Sequence, residues 1–197
     1  MSLDVRVLEG AALEAALDGV ARLRIEVFRE FPYLYDGDLD YERGYLATYR
    51  DNPDAVLVGA FDAGALVGAA TGSTLASHDA AFRAPLEAAG YDAGEVFYCA
   101  ESVLRKPWRG RGLGHAFFDA REGWARARGL KASAFCAVVR PEDHPARPGD
   151  YRPLDGFWRA RGYRPVPGAE AVFRWREVGA SEETAHRLAF WTRRLDG

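Results

Sequence analysis

The sequence has few of the residues that mark disulfide-bonded or metal-binding proteins. Among its 197 residues are only two cysteines, Cys99 and Cys136, and both lie in apolar runs typical of strands. The first residues lack the basic and then apolar profile of a secretory signal, so we expect two reduced packing thiols rather than a disulfide. The four histidines are tens of residues apart and show no ligand spacing. No metal site is therefore predicted.

Long apolar runs and a surplus of positive charge are also missing. No run of about 18 apolar residues occurs, which predicts that no segment crosses a membrane. The net charge is −3 and the arginines are dispersed, which argues against nucleic-acid binding because that normally requires a basic face. Hydrophobic residues make up 48% of the chain, enough for one well-filled core. We expect a single domain over residues 1–197 that acts in the cytoplasm.

Hydrophobic periodicity predicts helices and strands along the whole chain. Apolar residues three or four positions apart predict helices over residues 11–28, 41–50, 78–89, 113–128, 154–161 and 182–195. Alternating or continuous apolar runs predict strands over residues 5–8, 55–61, 65–75, 95–104, 132–139 and 172–178. In the last helix Ser181 would be the N-cap, and Leu188, Trp191 and Leu195 would form an apolar stripe. That stripe suits either packing on its own domain or the pairing of two copies in a homodimer.

The most informative segment is a glycine-rich loop between a predicted strand and a predicted helix. Its sequence is Arg109-Gly110-Arg111-Gly112-Leu113-Gly114. Glycines let the backbone turn tightly, and a helix N-terminus adds unpaired N–H donors and a positive dipole, so the loop suits a phosphate or pyrophosphate. A P-loop would need Lys-Ser or Lys-Thr where His115-Ala116 stands. A dinucleotide fingerprint would need its third glycine where His115 or Phe117 stands, so both of these interpretations fail.

The loop resembles the acetyl-CoA motif of the GNAT acetyltransferase superfamily, Arg/Gln-x-x-Gly-x-Gly/Ala, at Arg109, Gly112 and Gly114. Residues 157–163, Phe-Trp-Arg-Ala-Arg-Gly-Tyr, resemble the second motif of that superfamily, an aromatic-containing helix that ends in Gly-Phe or Gly-Tyr. The predicted order of elements is similar too. The resemblance implies an α+β fold in which helices flank a mixed, mostly antiparallel sheet, here with an extra C-terminal helix.

The same resemblance implies an N-acetyltransferase that uses acetyl-CoA as co-substrate and no metal, with a small-molecule amine as the expected acceptor. In the superfamily the loop amides bind the CoA pyrophosphate, and a main-chain N–H on the preceding strand stabilises the oxyanion that develops on the thioester. Val103 or Leu104 would supply that N–H here. The cofactor contacts implied for this sequence are Val103, Leu104, Arg105, Arg109, Gly110, Arg111, Gly112, Leu113, Gly114 and Trp158.

An amine acceptor has to lose a proton before it attacks, because its unperturbed pKa is near ~10. Strict alternation along the strand would place five residues on one face: Glu95, Phe97, Cys99, Glu101 and Val103. Glu101 is nearer to the pantetheine end and is our candidate for the base, directly or through water, with Glu95 as the second candidate. Alternatively, Glu101 pairs with an arginine such as Arg105 or Arg140, or binds the substrate ammonium without moving a proton.

Two departures from the superfamily pattern affect the acid and the acceptor. Many members have a tyrosine four residues before the glycine of the second motif, where it protonates the leaving thiolate. Trp158 stands there in this sequence, and an indole N–H cannot supply a proton. Tyr151 or Tyr163 could take over, or water could protonate the thiolate, and we assign the catalytic role to Tyr151. The asparagine often found after the fifth strand is also missing, with Val139-Arg140-Pro141 in its place.

The loops at residues 31–35 and 141–153 are the expected walls of the acceptor cleft, because such loops flank the strand end in this architecture. Arg140 and Arg152 could hold a carboxylate there, and a cation could be held by Asp36, Asp38, Asp40, Asp143 or Asp150. Two other functions stay open. One is a non-catalytic acyl-CoA sensor of the same fold, which the missing tyrosine favours. The other is a protein lysine acetyltransferase.

Overall fold

The chain folds around one seven-stranded sheet, and the computed structural model describes residues 3–195 of it. The strands are β1 (Leu3–Leu8), β2 (Ala55–Asp62), β3 (Ala65–Thr74), β4 (Val96–Leu104), β5 (Ala132–Val138), β6 (Arg164–Arg176) and β7 (Glu183–Arg194). The helices are α1 (Gly10–Phe28), α2 (Leu39–Arg50), α3 (Ala80–Ala88), α4 (Leu113–Ala127) and α5 (Asp155–Ala160). The strand order is β1-β2-β3-β4-β5-β7-β6, antiparallel throughout except for the parallel pair β4 and β5. The predicted mixed, mostly antiparallel α+β fold is confirmed.

Helices cover both faces of the sheet because each presents an apolar stripe to it. On one face α4 packs through Phe117 and its neighbours against Phe97 and Cys99 of β4. On the other face α1 and α2 pack around Val103, with Leu23 and Leu46 fully buried. None of the helices within residues 3–195 combines the length and apolarity that a membrane crossing needs. Both cysteines are free thiols, as expected.

The predicted C-terminal helix over residues 182–195 is wrong, because this segment forms the strand β7. It pairs antiparallel with β5 on one side and with β6 on the other. Burial alternates along β7, so that His186, Leu188 and Phe190 are buried while Arg187 is exposed. The spacing of Leu188, Trp191 and Leu195 mimics a helical stripe, but long-range pairing with the free edge of β5 decides the local structure. Neither alternative for that helix, packing on its own domain or pairing two copies, applies, because the segment is a strand.

A β-bulge in β4 changes which face each side chain takes. Thr71 of β3 pairs with Glu101, and the next residue, Gly72, pairs with Cys99, so that Ala100 is the extra residue. Glu101 therefore faces α1 and α2, opposite to Cys99, and the predicted common face for the residues from Glu95 to Val103 is wrong. Gly72 makes this possible, since a Cβ there would lie 2.7 Å from the carbonyl oxygen of Tyr98.

β4 and β5 separate soon after they begin. Only Val96–Tyr98 of β4 pairs with 132–134 of β5. The remaining residues of the two strands, 99–104 and 135–138, diverge, and β5 turns its other edge to β7. The result is an opening in the sheet that begins at Cys99, includes the bulge and ends before the glycine-rich loop.

Candidate active site

The glycine-rich loop has two glycines in the left-handed region. Gly110 and Gly112 have φ values of +75° and +84°, where an L side chain would be strained. Gly112 immediately precedes α4, whose first turn carries no acidic side chain and receives no side-chain cap. The first N–H groups of α4 therefore lack an intrahelical or capping partner, and the helix dipole is positive at this end. These features suit a bound anion.

Arg105 and Arg109, before and at the start of the loop, direct their guanidinium groups to other residues of the protein. Arg109 donates to the last carbonyl of β4 at 2.9 Å and pairs with Glu30 at 2.9 Å, which ties the loop to the segment after α1. Arg105 pairs with Glu26 of α1 at 2.9 Å. Arg111 is exposed at the tip of the loop. Cofactor contacts from these three residues stay predictions, and two of the three side chains hold the loop in place.

The unpaired edge of β4 presents main-chain groups to the opening in the sheet. Arg105 donates its N–H to the carbonyl oxygen of Val67 in β3 at 3.1 Å. Because successive N–H groups of a strand point to opposite sides, the N–H of Leu104 points into the opening, and that of Val103 points toward β3. Ser102 has the same direction as Leu104. From the region 102–105 the sequence singled out Val103 or Leu104 and not Ser102, since which edge of a strand stays unpaired is a property of the sheet.

A buried arginine of α4 stabilises the bulge from the face of the sheet that α4 covers. Arg121 of α4 is 1% exposed. Its guanidinium donates to the carbonyl oxygens of Glu101 and Thr71 at 2.8 and 2.9 Å, and to the hydroxyl of Ser102 at 2.8 Å. A bulge interrupts the regular ladder and leaves carbonyl groups that need other donors. Arg121 supplies them, and it fixes the backbone of the residues that face the opening.

Glu101 is held by residues from α1 and α2. It is 8% exposed, and its Oε2 atom lies 2.6 Å from a terminal nitrogen of Arg24. The hydroxyl of Tyr45 donates to the same oxygen at 3.0 Å. The Nε atom of Arg24 donates to the buried carboxylate of Glu42. Among the described residues the other oxygen of Glu101, Oε1, has no hydrogen-bond partner.

The neighbouring carboxylates keep Arg24 protonated. Burial alone would lower the pKa of its guanidinium, but the carboxylates of Glu101 and then Glu42 raise it well above its usual value. Burial raises the pKa of Tyr45 well above the ordinary phenol value, so its hydroxyl stays a donor. Of the partners expected for Glu101, neither Arg105 nor Arg140 is the one found. Arg24 follows Val20 by one helical turn on the apolar stripe of α1, and a charge in that position was the signal available in the sequence.

Two residues named as alternatives lie away from this group. Glu95 precedes β4, forms an ion pair with Lys131, and has a side chain that is 45% exposed. Tyr163 is fully buried, and its hydroxyl oxygen lies within hydrogen-bond distance of Glu122 (3.0 Å) and Ser133 (2.8 Å). Its hydroxyl is thus committed to the core between α4 and β5, which removes it as the acid.

Tyr151 and Trp158 take different positions. The ring of Tyr151 meets Phe31 edge-on at 4.7 Å between centroids, so that the two loops predicted as cleft walls touch each other. Burial raises the pKa of Tyr151, which is partly opposed by Arg147 above its ring. Trp158 packs against Phe135 at 4.9 Å and is partly buried. The roles assigned to Tyr151 and Trp158 stay predictions.

Several of the charged loop residues expected at the acceptor cleft contact nearby protein groups, whereas Asp143, Asp150 and Arg152 are exposed. Arg140 donates to the carbonyl oxygens of Pro32 and Tyr33 at 2.7 and 3.0 Å and pairs with Glu177 at 2.6 Å. It fastens the aromatic loop to the end of β6. The aspartates at the start of α2 are used similarly, since Asp38 caps the helix. No group of three potential metal ligands occurs in the part of the chain from residue 3 to residue 195.

Comparison with known proteins agrees with this geometry. Residues 20–148 match the model of the acetyltransferase (GNAT) family. A putative acetyltransferase from Salmonella typhimurium, solved with acetyl-CoA, is similar in fold with a TM-score of 0.62 and 14% identity over 100% of this chain and 96% of that one. An N-acetyltransferase from Staphylococcus aureus Mu50 has a TM-score of 0.61 and 12% identity over 100% of both chains.

A third structure is the PaiA N-acetyltransferase from Thermoplasma acidophilum in complex with coenzyme A. Its TM-score is 0.58 and its identity 11%, over 98% of this chain and 99% of that one. No curated protein is significantly similar to the chain in sequence. The family model covers more than half of the chain, and the bulge, the opening between β4 and β5 and the glycine-rich loop lie inside the matched range. The protein therefore belongs to the GNAT family of acetyltransferases.

Proposed function

We propose that the protein transfers an acetyl group from acetyl-CoA to the amine of a small molecule. The observation that carries this proposal is the position of Glu101, whose Oε1 atom is buried without a partner, beside the unpaired edge of β4. A buried carboxylate oxygen without a donor is costly, and the N–H of an incoming amine would relieve that cost.

Acetyl-CoA would bind along the opening between β4 and β5. The N–H groups at the start of α4 suit its pyrophosphate, because they are uncapped and lie at the positive end of the helix dipole. The unpaired edge of β4 suits the pantetheine arm, with Ser102 and Leu104 directing N–H groups toward the thioester carbonyl. Solved structures of similar fold that hold acetyl-CoA or coenzyme A support this choice of donor.

The proposed transfer forms one C–N bond and breaks one C–S bond. The acceptor ammonium gives one proton to Glu101, the amine nitrogen bonds to the thioester carbon, and the C–S bond breaks. The thiolate takes a proton from the hydroxyl of Tyr151, which recovers it from the amine nitrogen as the amide forms. One proton leaves through Glu101 to solvent. Glu101 is thus the base and Tyr151 the acid.

The test combines cofactor binding and turnover. Calorimetric titration with acetyl-CoA is expected to give saturable binding, and thiol release in the presence of a panel of primary amines is expected to exceed the rate without amine. Absence of saturable binding would contradict the choice of donor. Saturable binding without thiol release from any amine would instead identify a non-catalytic acyl-CoA sensor.

A further inference from the structure

The buried cluster around Glu101 carries one more negative charge than positive charge. Arg24 pairs with both Glu42 and Glu101, and the three side chains are exposed by 10%, 0% and 5%. Among the described residues Oε1 of Glu101 has no partner. A buried charge is costly unless it is paired, and one further cation would make the net charge of the cluster zero.

Aromatic side chains lie against this cluster and between it and β5. Tyr45 donates to Glu101, and its ring lies 4.2 Å under the guanidinium of Arg24. Tyr98 lies two residues before the bulge at Ala100. Its hydroxyl is 3.0 Å from the sulfur of Cys136 in β5. Tyr33, from the loop after α1, has its pKa raised by burial and then by the nearby Cys136 and Glu101. The rings therefore connect Glu101 with β5.

The outer rim of the same region is aromatic as well. Phe31 and Tyr151 meet edge-on at 4.7 Å, and both are partly exposed. Phe31 and Tyr33 are two residues apart in the same loop, which joins this rim to the inner rings. Arg140, the cation expected here for a substrate carboxylate, is taken up by Glu177 and two carbonyl groups.

These observations, together with the proposed function, define the acceptor. We propose that it is a monocationic arylalkylamine, with its amine at Oε1 of Glu101 and its uncharged aromatic body against Phe31 and Tyr33. An amino acid would add a carboxylate near Arg140, whose guanidinium is already paired with Glu177, and a diamine would add a second ammonium to a cluster that has a net charge of only −1. Aromatic rings favour a flat apolar body by edge and face contacts.

Thiol release at saturating acetyl-CoA, with three amines, tests this assignment. The probes are 2-phenylethylamine, phenylalanine, which adds a carboxylate, and 1,5-diaminopentane, which replaces the ring by a second cation. The expected kcat/KM is highest for 2-phenylethylamine, by about tenfold or more over either of the others. A higher value for phenylalanine or for the diamine would overturn the proposal while leaving amine acetylation intact. Acetyl-CoA binding without turnover of any amine would overturn the proposed function, and the acceptor assignment with it.

Substitution of the rim tests where the aromatic body lies. Phe31→Ala is expected to raise the KM for 2-phenylethylamine by about tenfold and to change that for 1,5-diaminopentane little. Tyr41→Ala, which removes an aromatic side chain that is 64% exposed on α2, is the matched control and is expected to change neither. An equal change of KM for both amines in Phe31→Ala, with acetyl-CoA affinity unaltered, would contradict contact between Phe31 and the acceptor body.

Discussion

The orientation of Glu101 is set by the side chains that surround it. Glu101 keeps one oxygen on Arg24 and Tyr45 and leaves the other free, so its orientation is set by residues from two helices. The sequence identified Glu101, because a carboxylate within an apolar strand needs a reason. It did not identify Arg24 as the partner, since a residue 77 positions away in sequence is brought near only by the packing of α1 on the sheet.

His78 shows the same effect of burial and leads to a prediction on stability. Its ring packs on Tyr98 at 4.8 Å, and its Nε2 atom lies 2.7 Å from the hydroxyl of Ser73. Burial lowers the pKa of His78 to about 4. Because this value lies below that of the unfolded chain, the folded state binds fewer protons, and the free energy of unfolding falls as the pH drops from about 6.5 to about 4.

We expect His78→Gln to remove about 3 kcal/mol of that decrease, measured by urea unfolding across this pH range. His115→Gln, at an exposed position on α4, is the control and should follow the parent protein. A parallel decrease in His78→Gln and in the parent protein would show that His78 is not responsible for it.

Secondary-structure elements were predictable where one local signal dominated. α1, α2 and α4 were predicted within two residues of their observed ends, because each has a regular apolar stripe and a stop signal such as Gly129. β7 was not, since Leu188, Trp191 and Leu195 fit a helical stripe as well as a strand, and only the pairing with β5 distinguishes the two. The bulge at Ala100 was not predicted for a similar reason, because only the register with β3 defines it.

The strand at residues 183–194 can be tested through Phe190. This side chain is fully buried, whereas Arg187, three residues earlier, is exposed. We expect Phe190→Ala to lower the free energy of unfolding by about 3–5 kcal/mol and Arg187→Ala to change it by less than about 1 kcal/mol, in denaturant unfolding experiments. Similar small losses for the two variants would contradict the placement of Phe190 in the core.

At the scale of the whole molecule, the proposed site lies where the sheet is interrupted. The bulge redirects Glu101, the separation of β4 and β5 frees an edge of β4, and the glycine-rich loop follows immediately in sequence. Two interruptions of the sheet and the loop thus lie together in the chain. Arg121 of α4 donates to the carbonyl groups that the bulge leaves without a strand partner. The proposed donor side rests on a short motif that the sequence shows. The proposed acceptor side could not be read from the sequence, because its residues come from α1, the loops and β4.

Removal of the Arg121 side chain should disturb both stability and catalysis. Arg121→Met leaves two buried carbonyl groups without their donor, and we expect a loss of about 3 kcal/mol in the free energy of unfolding. We also expect a lower kcat with little change in acetyl-CoA affinity, and partial recovery in Arg121→Lys. Arg126→Met, on the exposed side of the same helix, is the control. An unchanged kcat in a stable Arg121→Met protein would contradict a role in positioning the bulge.

The central claim is that Glu101 accepts the proton of the acceptor amine. The most direct measurement is the pH dependence of thiol release for the parent protein and for Glu101→Gln, with acetyl-CoA affinity measured in parallel. We expect Glu101→Gln to lose about 100-fold or more of kcat at neutral pH, to recover part of it as the pH rises and the free amine becomes abundant, and to bind acetyl-CoA as before. An unaltered rate for Glu101→Gln across the pH range would contradict the claim.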